Sequence, residues 1–195
     1  MDLRLYRTEP PAAVMDGCVA VYASAFGQPP YAEPAADAEL LRERVTRYAG
    51  RVGFRLPVVT HQDGNVAGFA LAVRAFPGDW WRDKVAAAIG PALTARWLPP
   101  GVLEVVHVAV HPASQRQGIG RALLDSLTAD SLTAESLTAD RRTGGALTAV
   151  LSCDSAAGPA QQLYLSSGWT LITGELSYLP GMPARWLMGI ELQGA

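Results

Sequence analysis

Residues 103–124 read LEVVHVAVHPASQRQGIGRALL, and this stretch decides the fold class of the chain. The segment from Val105 to Val110 is rich in β-branched residues and favours a strand, which Pro112 then ends. Gly118 and Gly120 follow in a polar turn, and the alanine and leucines after them favour a helix. The stretch therefore predicts a strand, a glycine turn and a helix in succession.

The predicted turn is suited to binding a phosphate group. A helix N-terminus offers unpaired backbone N–H groups and a partial positive charge, and glycines let a bulky anion approach that backbone closely. Arg116 and Arg121 add full positive charge beside the turn. The sequence therefore predicts a ligand that carries phosphate.

The residues after Gly120 distinguish this turn from two common phosphate-binding motifs. A P-loop requires Lys followed by Ser or Thr, whereas Arg121 and Ala122 stand at those positions. A dinucleotide-binding fingerprint requires a third glycine three residues after Gly120, and the residue there is Leu123. The pattern that is left is Q-x-x-G-x-G at residues 115–120.

This pattern, after an apolar strand ending in VAVHP, resembles the acetyl-CoA-binding motif of the GNAT superfamily of N-acetyltransferases. The resemblance implies an α/β fold with a mixed, mostly antiparallel sheet of about seven strands, flanked by helices and splayed between the fourth and fifth strands. It also implies acetyl-CoA as the acyl donor, with the Val108 N–H polarising the thioester carbonyl and Val110 binding the pantetheine arm. The residues expected at the coenzyme are Val108, Ala109, Val110, Gln115, Arg116, Gln117, Gly118, Ile119, Gly120, Arg121, Ser155 and Tyr164.

A second motif follows the next apolar strand, which is predicted at residues 146–153. Residues 160–169, AQQLYLSSGW, resemble the family's A-x-x-L-Y-x-x-x-G-[FW] helix, and the resemblance implies that Tyr164 protonates the departing CoA thiolate. The family commonly has asparagine seven residues before this tyrosine, where this chain has Ala157. The corresponding hydrogen bond to CoA is then missing, or comes from Ser155 or Asp154.

Amine acetylation also requires a path for the proton of the substrate ammonium, because a protonated amine has no lone pair with which to attack. Glu104 is the first candidate: the resemblance places a general base eleven residues before Gln115 in some members, and Glu104 shares strand parity with Val108. His107 is the rival, since imidazole titrates near neutrality, but its odd offset points it to the other face unless a β-bulge intervenes. Alternatively, Glu104 is an exposed strand-end charge and His107 a paired, buried histidine.

The acceptor pocket is the part least fixed by the motifs. Tyr31, Trp80 and Trp81 are candidates for lining an amphipathic amine site, because aromatic rings attract cations. Carboxylates that would attract the cation are Glu33, Asp79 and Asp83. Alternatively, the tryptophans anchor their segment to the core or form a homodimer contact. An aminoglycoside, a polyamine, an amino-acid derivative and a peptide N-terminus all fit such a site.

Composition indicates a single globular domain spanning residues 1–195, with 49% hydrophobic and 17% charged residues. A net charge of −2 gives no general attraction to nucleic acid or to an anionic membrane. No run of about 18 uncharged apolar residues occurs. Cys18 and Cys153 suit reduced thiols, and neither their spacing nor any other pattern suggests a metal site. We therefore expect a cytoplasmic protein.

Periodicity places the other elements along the chain. Asp63-Gly64 predicts a hairpin turn, and the charges of the second helix, Arg42, Glu43, Arg44 and Arg47, predict a solvated face. The strands are predicted at residues 3–7, 54–61, 65–76, 105–110, 146–153, 169–176 and 186–192, with helices at 12–26 and 37–48 and a helical insertion at 76–101.

Three pentapeptides, DSLTA, DSLTA and ESLTA, begin at Asp125. A five-residue period turns a helix by about 500°, so their leucines form no continuous apolar stripe. The first copy is therefore expected to end the preceding helix. Residues 125–145 as a whole are predicted to form a surface extension.

Together the motifs predict an acetyl-CoA-dependent N-acetyltransferase that moves an acetyl group directly to a primary amine of a small molecule or peptide. One alternative is an enzyme of the same fold that uses a longer acyl-CoA. The other is a non-catalytic module that binds CoA or a partner.

Overall fold

The computed structural model describes residues 1–130 and 148–192. The chain forms two compact units, one of residues 1–73 and 106–127 and the other of residues 74–105 and 128–195. Each unit has a hydrophobic cluster of its own. The single domain expected from the composition stays a prediction.

The first unit contains three consecutive strands and two helices near its N-terminus. The strands are β1 (Asp2–Tyr6), β2 (Leu56–Thr60) and β3 (Val66–Ala75), and each pairs antiparallel with the next. The helices α1 (Ala12–Phe26) and α2 (Ala35–Ala49) pack against each other. The two helices bury an apolar face, whereas β2 and β3 are buried at almost every position.

The predicted hairpin between β2 and β3 is confirmed. Gly64 adopts φ 86°, a left-handed conformation that favours glycine. The Asp63 carboxylate accepts hydrogen bonds from the backbone N–H and the side-chain amide of Asn65, at 3.0 and 2.8 Å. His61 N–H donates to the Asn65 carbonyl at 2.9 Å and closes the turn.

The second unit contains three complete strands and two further helices. Its helices are α3 (Trp80–Trp97) and α5 (Gly158–Ser166), and its strands are β5 (Thr148–Asp154), β6 (Thr170–Leu176) and β7 (Arg185–Glu191). β7 lies between β5 and β6 and pairs antiparallel with both. α3 falls inside the predicted helical insertion, residues 76–101.

α3 is kinked where Gly90 and Pro91 interrupt it. Gly90 has φ 79° and ψ 172°, and the proline ring cannot continue the helical hydrogen bonds. The helix ends at Trp97, whose ring packs on Gly189 of β7 so closely that an added Cβ would lie 2.5 Å from a ring carbon. Gly189 is therefore required for this contact.

The seven strands follow the order β1-β2-β3-β4-β5-β7-β6, in which β4 spans Val102–Val110. β4 and β5 run parallel, and their register joins Leu103 with Ala149 and Glu104 with Val150. Among the described residues this register ends at Glu104, as expected for strands that splay further along. The predicted mixed, mostly antiparallel sheet of seven strands flanked by helices is confirmed.

α4 (Ile119–Asp130) follows β4 and includes the first DSLTA copy. Leu123, Leu124 and Leu127 are buried at 0–1% exposure on one face of this helix, because residues three and four apart share a face. The part of the predicted surface extension that follows, residues 131–145, lies outside the described residues.

Two further expectations concern the chain as a whole. In residues 1–130 and 148–192, no helix is both long and apolar enough to cross a membrane. Cys18 and Cys153 are both buried, free thiols. Burial raises the pKa of Cys18 to about 12 and that of Cys153 to about 11.

Candidate active site

The Q-x-x-G-x-G segment forms an exposed turn between β4 and α4. A 3₁₀ turn, Pro112–Ser114, follows the strand, and Ile119 begins the helix. Arg116 (φ 63°) and Gly118 (φ 81°) both have left-handed backbone conformations, which glycine adopts without steric cost. A Cβ added to Gly118 would meet no described atom within 4 Å, so the space beside this backbone is open.

The start of α4 lies directly after this turn. Ala122 N–H donates to the Gly118 carbonyl at 3.0 Å, the first bond of the helix. The N–H groups before Ala122 have no earlier helical carbonyl to bind. The side chains of Arg116 and Arg121 are exposed on the same segment. These donors and charges suit a bound pyrophosphate, which is the chemistry expected of the turn.

Gly68 on β3 fixes where α4 begins. A Cβ at this position would lie 2.9 Å from the Ala109 carbonyl oxygen and 3.0 Å from Cγ2 of Ile119. The missing side chain therefore lets Ile119, which is 3% exposed, pack directly onto the sheet. The helix start and the end of β4 are positioned by the same close contact.

The predicted coenzyme residues of β4 lie directly before the turn. Val108 and Val110 are half-buried and Ala109 is buried. The Gln115 side-chain amide donates to the Val110 carbonyl at 3.3 Å, which ties the turn to the end of the strand. Gln117 makes a similar bond to the Ala113 carbonyl at 3.4 Å.

Glu104 is a buried carboxylic side chain with 6% exposure. It lies in β4 at the last position paired with β5, opposite Val150. The alternative that Glu104 is an exposed strand-end charge is therefore wrong. Its burial means that the side chain is not there to be solvated.

His107 lies against α1 and α2. Its ring meets Tyr22 edge-on at a centroid distance of 5.2 Å and Phe26 at 6.0 Å. The Arg44 guanidinium contacts its Nε2. Because a guanidinium donates hydrogen bonds and accepts none, Nε2 is the acceptor and carries no proton in this arrangement. The contact favours the alternative in which His107 is a paired histidine.

Arg44 corrects one expectation about α2. The sequence placed it on a solvated face with Arg42, Glu43 and Arg47, but Arg44 is half-buried and reaches His107. The period of the helix could not reveal this, because the partner lies 63 residues away along the chain. Arg42 does lie on an accessible surface, where it pairs with Asp16 at 2.7 Å.

Tyr22, whose ring packs on His107, is also hydrogen-bonded to Glu33. Tyr22 OH donates to Glu33 Oε2 at 2.7 Å. Burial first, and then the hydrogen bond and negative charge of Glu33, raise the pKa of Tyr22 well above its ordinary value, with Arg44 opposing them. Tyr22 therefore stays a neutral donor, and Glu33 has a fixed partner.

Tyr164 is buried on α5 at 7% exposure. Its ring lies 6.1 Å from that of Trp169, and its carbonyl accepts the Trp169 N–H at 3.1 Å. The turn between them uses Gly168 at φ 85°. The A-x-x-L-Y-x-x-x-G-W motif thus folds as one unit in which the glycine lets the tryptophan return onto the tyrosine.

The turn between β5 and α5 is held by a residue that the sequence analysis did not single out. The Gln161 amide donates to the carbonyls of Asp154 and Ser155 at 3.1 and 2.9 Å. Asp154 Oδ1 accepts the Ala156 N–H at 2.8 Å. Ser155 is exposed, whereas Ala157, where the family commonly has asparagine, is 2% exposed. Of the two predicted substitutes, Ser155 is exposed and Asp154 is half-buried.

The predicted acceptor residues fall into both units. Tyr31, in the first, is half-buried, with its ring 4.8 Å from that of Phe26. Trp80, in the second, is 58% exposed and meets Tyr178 edge-on at 6.3 Å. Trp81 packs against the hydrophobic cluster of the second unit, as the anchoring alternative predicts for it.

The described residues contain no group of three or more His, Cys, Asp or Glu side chains arranged to hold a metal ion.

Comparison with known families decides what this fold belongs to. Residues 55–171, more than half of the chain, match the acetyltransferase (GNAT) domain family. The chain belongs to the GNAT superfamily. The matched region runs from the residue before β2 into β6 and includes both motifs.

Solved GNAT structures share the fold over almost the entire chain. A GNAT-family protein from Desulfovibrio desulfuricans is 20% identical, with a TM-score of 0.63 and coverage of 98% of this chain and 100% of the other. The ribosomal-protein-S18-alanine N-acetyltransferase of Escherichia coli is 18% identical, with a TM-score of 0.60 and coverage of 100% and 96%. A histone acetyltransferase HPA2-related protein from Corynebacterium glutamicum is 21% identical, with a TM-score of 0.61 and coverage of 100% and 99%.

These identities support the fold and not a shared substrate. No curated protein matches the chain in sequence. Membership of the GNAT superfamily indicates an acyltransferase, and GNAT acetyltransferases act on amine substrates.

Proposed function

We propose that this GNAT protein is an acetyl-CoA-dependent N-acetyltransferase that transfers the acetyl group directly to a primary amine of a small molecule or peptide. The observation that carries the proposal is the exposed turn at residues 115–120. There Gly118 has a left-handed conformation beside open space, and α4 begins at Ile119. A glycine turn at the start of a helix suits a pyrophosphate, because the first N–H groups of a helix have no helical acceptor.

The donor site consists of this turn and the end of β4. The N–H groups of Gly118, Ile119 and Gly120 bind the pyrophosphate, and Arg116 and Arg121 add positive charge. Gln115 and Gln117 hold the turn through the backbone carbonyls that they contact. Ala109, which lies between Val108 and Val110, is buried. Because all three side chains are apolar, the polar groups that this part of the strand offers to the donor are those of its backbone.

Acetyl-CoA supplies the acetyl group as an activated thioester. The backbone N–H of Val108 polarises the thioester carbonyl, because a fixed N–H dipole stabilises the negative charge that develops on that oxygen. Val110 binds the pantetheine arm through its backbone. Ser155, in the exposed turn after β5, supplies a hydrogen bond to the coenzyme.

Glu104 receives the proton of the substrate ammonium. Its side chain is buried in β4, and a positioned carboxylate is a common proton acceptor in general base catalysis. His107 is less suited to the role, because its Nε2 already accepts a bond from Arg44 and uptake of a proton there would place two positive charges together.

Tyr164 protonates the sulfur as CoA leaves. A phenol is a suitable acid for this step because it is protonated at physiological pH and is close enough in strength to a thiol for its proton to pass to the sulfur as negative charge develops there. Packing against Trp169 restricts the orientation of the Tyr164 ring. Positioning of this kind is what general acid catalysis requires.

The acceptor is a cationic amine that contacts Tyr31, Trp80 or Trp81. Aromatic rings that are half-buried or exposed offer both apolar contact and cation–π attraction. The reaction is proposed to take place in the cytoplasm, where acetyl-CoA is available, and needs neither nucleic acid nor a membrane as partner.

The test is amine-dependent release of CoA thiol. Purified protein is mixed with acetyl-CoA and a panel of polyamines, aminoglycosides, amino-acid amides and short peptides, and free thiol is followed with an aromatic disulfide. The proposal predicts release with at least one amine class and acetylated product by mass spectrometry. Thiol release only from longer acyl-CoA would favour the alternative donor, and CoA binding without any release would favour a non-catalytic module.

A further inference from the structure

His61 and Ser114 form a partly buried contact beside the donor turn that neither motif explains. His61 Nε2 lies 2.9 Å from Ser114 Oγ, within hydrogen-bonding distance. Ser114 is 4% exposed and stands directly before Gln115, the first residue of the turn. The histidine, by contrast, belongs to the β2–β3 hairpin, 53 residues earlier in the chain.

Both partners are held by backbone hydrogen bonds. His61 N–H donates to the Asn65 carbonyl at 2.9 Å, and the His61 carbonyl accepts the Gly64 N–H at 3.0 Å. Ser114 N–H donates to the His111 carbonyl at 2.8 Å, and His111 N–H donates to the Ala67 carbonyl of β3 at 2.9 Å. The hairpin therefore provides a fixed support from which the His61 side chain reaches the segment before the donor turn.

Between Ser114 and α4, the described contacts that hold the turn include the side-chain bonds of Gln115 and Gln117, at 3.3 and 3.4 Å. Arg116 and Gly118 take left-handed conformations, and residues 115–118 are exposed. A turn of this kind binds an anion only if its N–H groups are held in one orientation beforehand, because ordering them on binding would cost conformational free energy. Fixing Ser114 reduces that cost.

We propose that His61 is a positioning residue for the donor turn: through Ser114 it holds the entrance of residues 115–120 in the conformation that binds the pyrophosphate. The inference rests on the proposed function of the turn. Serine both donates and accepts, so its hydroxyl can bond either tautomer of the imidazole.

The experiment is a double-mutant cycle on CoA affinity, measured by calorimetry with the full chain. The variants are His61→Ala, Ser114→Ala and the pair together, with His61→Gln as the conservative variant that retains a donor and an acceptor. Loss of one positioning hydrogen bond is expected to raise the Kd for CoA by about two- to tenfold in each single variant. The Kd of the double variant for CoA is expected not to exceed the larger of the two single-variant Kd values, because each substitution removes the same contact.

A matched control separates the contact from general damage to the hairpin. Asn65→Ala removes the side-chain bond to Asp63 in the same hairpin but leaves His61 and Ser114 in place, and CoA affinity is expected to stay within twofold. Kinetically, His61→Ala should raise KM for acetyl-CoA while kcat and KM for the amine stay near the wild-type values, and His61→Gln should restore most of the loss. A purely structural role would not produce that split.

Unchanged CoA affinity in folded His61→Ala and Ser114→Ala, or effects that add in the double variant, would overturn the inference while leaving the proposed function intact. If His61→Ala does not fold, Ser114→Ala alone decides, because it deletes a single hydroxyl. Absence of CoA binding by the wild-type protein would overturn the proposed function and this inference with it.

Discussion

Glu104 and His107 stand three residues apart on one strand, yet their surroundings differ. Glu104 is buried opposite β5, whereas His107 contacts the Arg44 guanidinium and two aromatic rings of α1. The choice between them as general base therefore depends on partners rather than on side-chain chemistry alone. Arg44 shifts that choice toward Glu104.

Glu104→Gln keeps the shape of the side chain and removes its capacity to accept a proton. We expect kcat/KM for the amine to fall on the order of 10²-fold near pH 6.5, and much less near pH 9, where more of the amine arrives unprotonated. The measurement is a pH–rate profile of both proteins. A profile that changes only in His107→Ala would assign the base to His107 instead.

Tyr164→Phe removes one hydroxyl and retains the ring that packs on Trp169. We expect kcat to fall on the order of 10²-fold, the lower end of the usual contribution of a general acid, while the Kd for CoA changes less than twofold. Tyr6→Phe, in β1, is the matched control. Full activity in Tyr164→Phe would remove the acid role from this residue.

Contacts between distant residues are what the sequence could not supply. The strand, turn and helix of residues 103–124 were predictable because periodicity and glycine placement are local signals. The Arg44–His107 and His61–Ser114 pairs join residues 63 and 53 positions apart, and no local pattern indicates them. The burial of Glu104 could not be predicted from the sequence either. The alternation of side chains along a strand is the same at both of its ends, so it does not show which end is buried.

Among the elements, β3 and α4 depend on each other at Gly68. Gly68→Ala would place a Cβ 2.9 Å from the Ala109 carbonyl oxygen, a backbone atom that cannot move aside easily. We expect the free energy of unfolding to fall by about 1–3 kcal/mol and CoA affinity to fall with it, because the start of α4 shifts. Chemical denaturation and calorimetry measure the two effects.

The same substitution at Gly50 is a suitable control. Gly50 ends α2 with φ −87°, and an added Cβ would meet no described atom within 4 Å. Gly50→Ala should therefore leave both quantities nearly unchanged. Equal effects at the two glycines would show that the close approach at Gly68 does not position α4.

The order of elements along the chain was predictable to within a few residues, because each strand and helix buries an apolar face of its own. α3 was the least predictable element, since Gly90 and Pro91 kink it and its last residue, Trp97, depends on a glycine in β7. The division of the contacts into two units was not predicted either.

Burial makes both thiols of the folded chain unreactive. The pKa of Cys18 is raised to about 12 and that of Cys153 to about 11, from an ordinary value of 9.0. At pH 8 we expect reaction with an aromatic disulfide to be slow in the native protein and complete, at two thiols per chain, in guanidinium. Rapid labelling of the native protein would show that these side chains are accessible.

The same shifts set the sign of the alkaline pH dependence. A pKa that is higher in the folded state means that the unfolded chain loses its thiol protons first, so stability is complete below about pH 9 and declines as the pH rises toward 11 and 12. Replacement of Cys18 by alanine should flatten this decline in denaturation curves. A steeper decline in the variant would contradict the assignment.

The most direct test of the whole interpretation is calorimetric titration of CoA into the wild-type protein and into Gly120→Glu. Glutamate is favourable in the first turn of a helix, so the fold is expected to survive, but the side chain and its charge would occupy the phosphate position. Ala129→Glu, an exposed position near the other end of α4, is the control. We predict saturable CoA binding by the wild type and the control and none by Gly120→Glu; equal binding by all three proteins would show that the turn at residues 115–120 is not the coenzyme site.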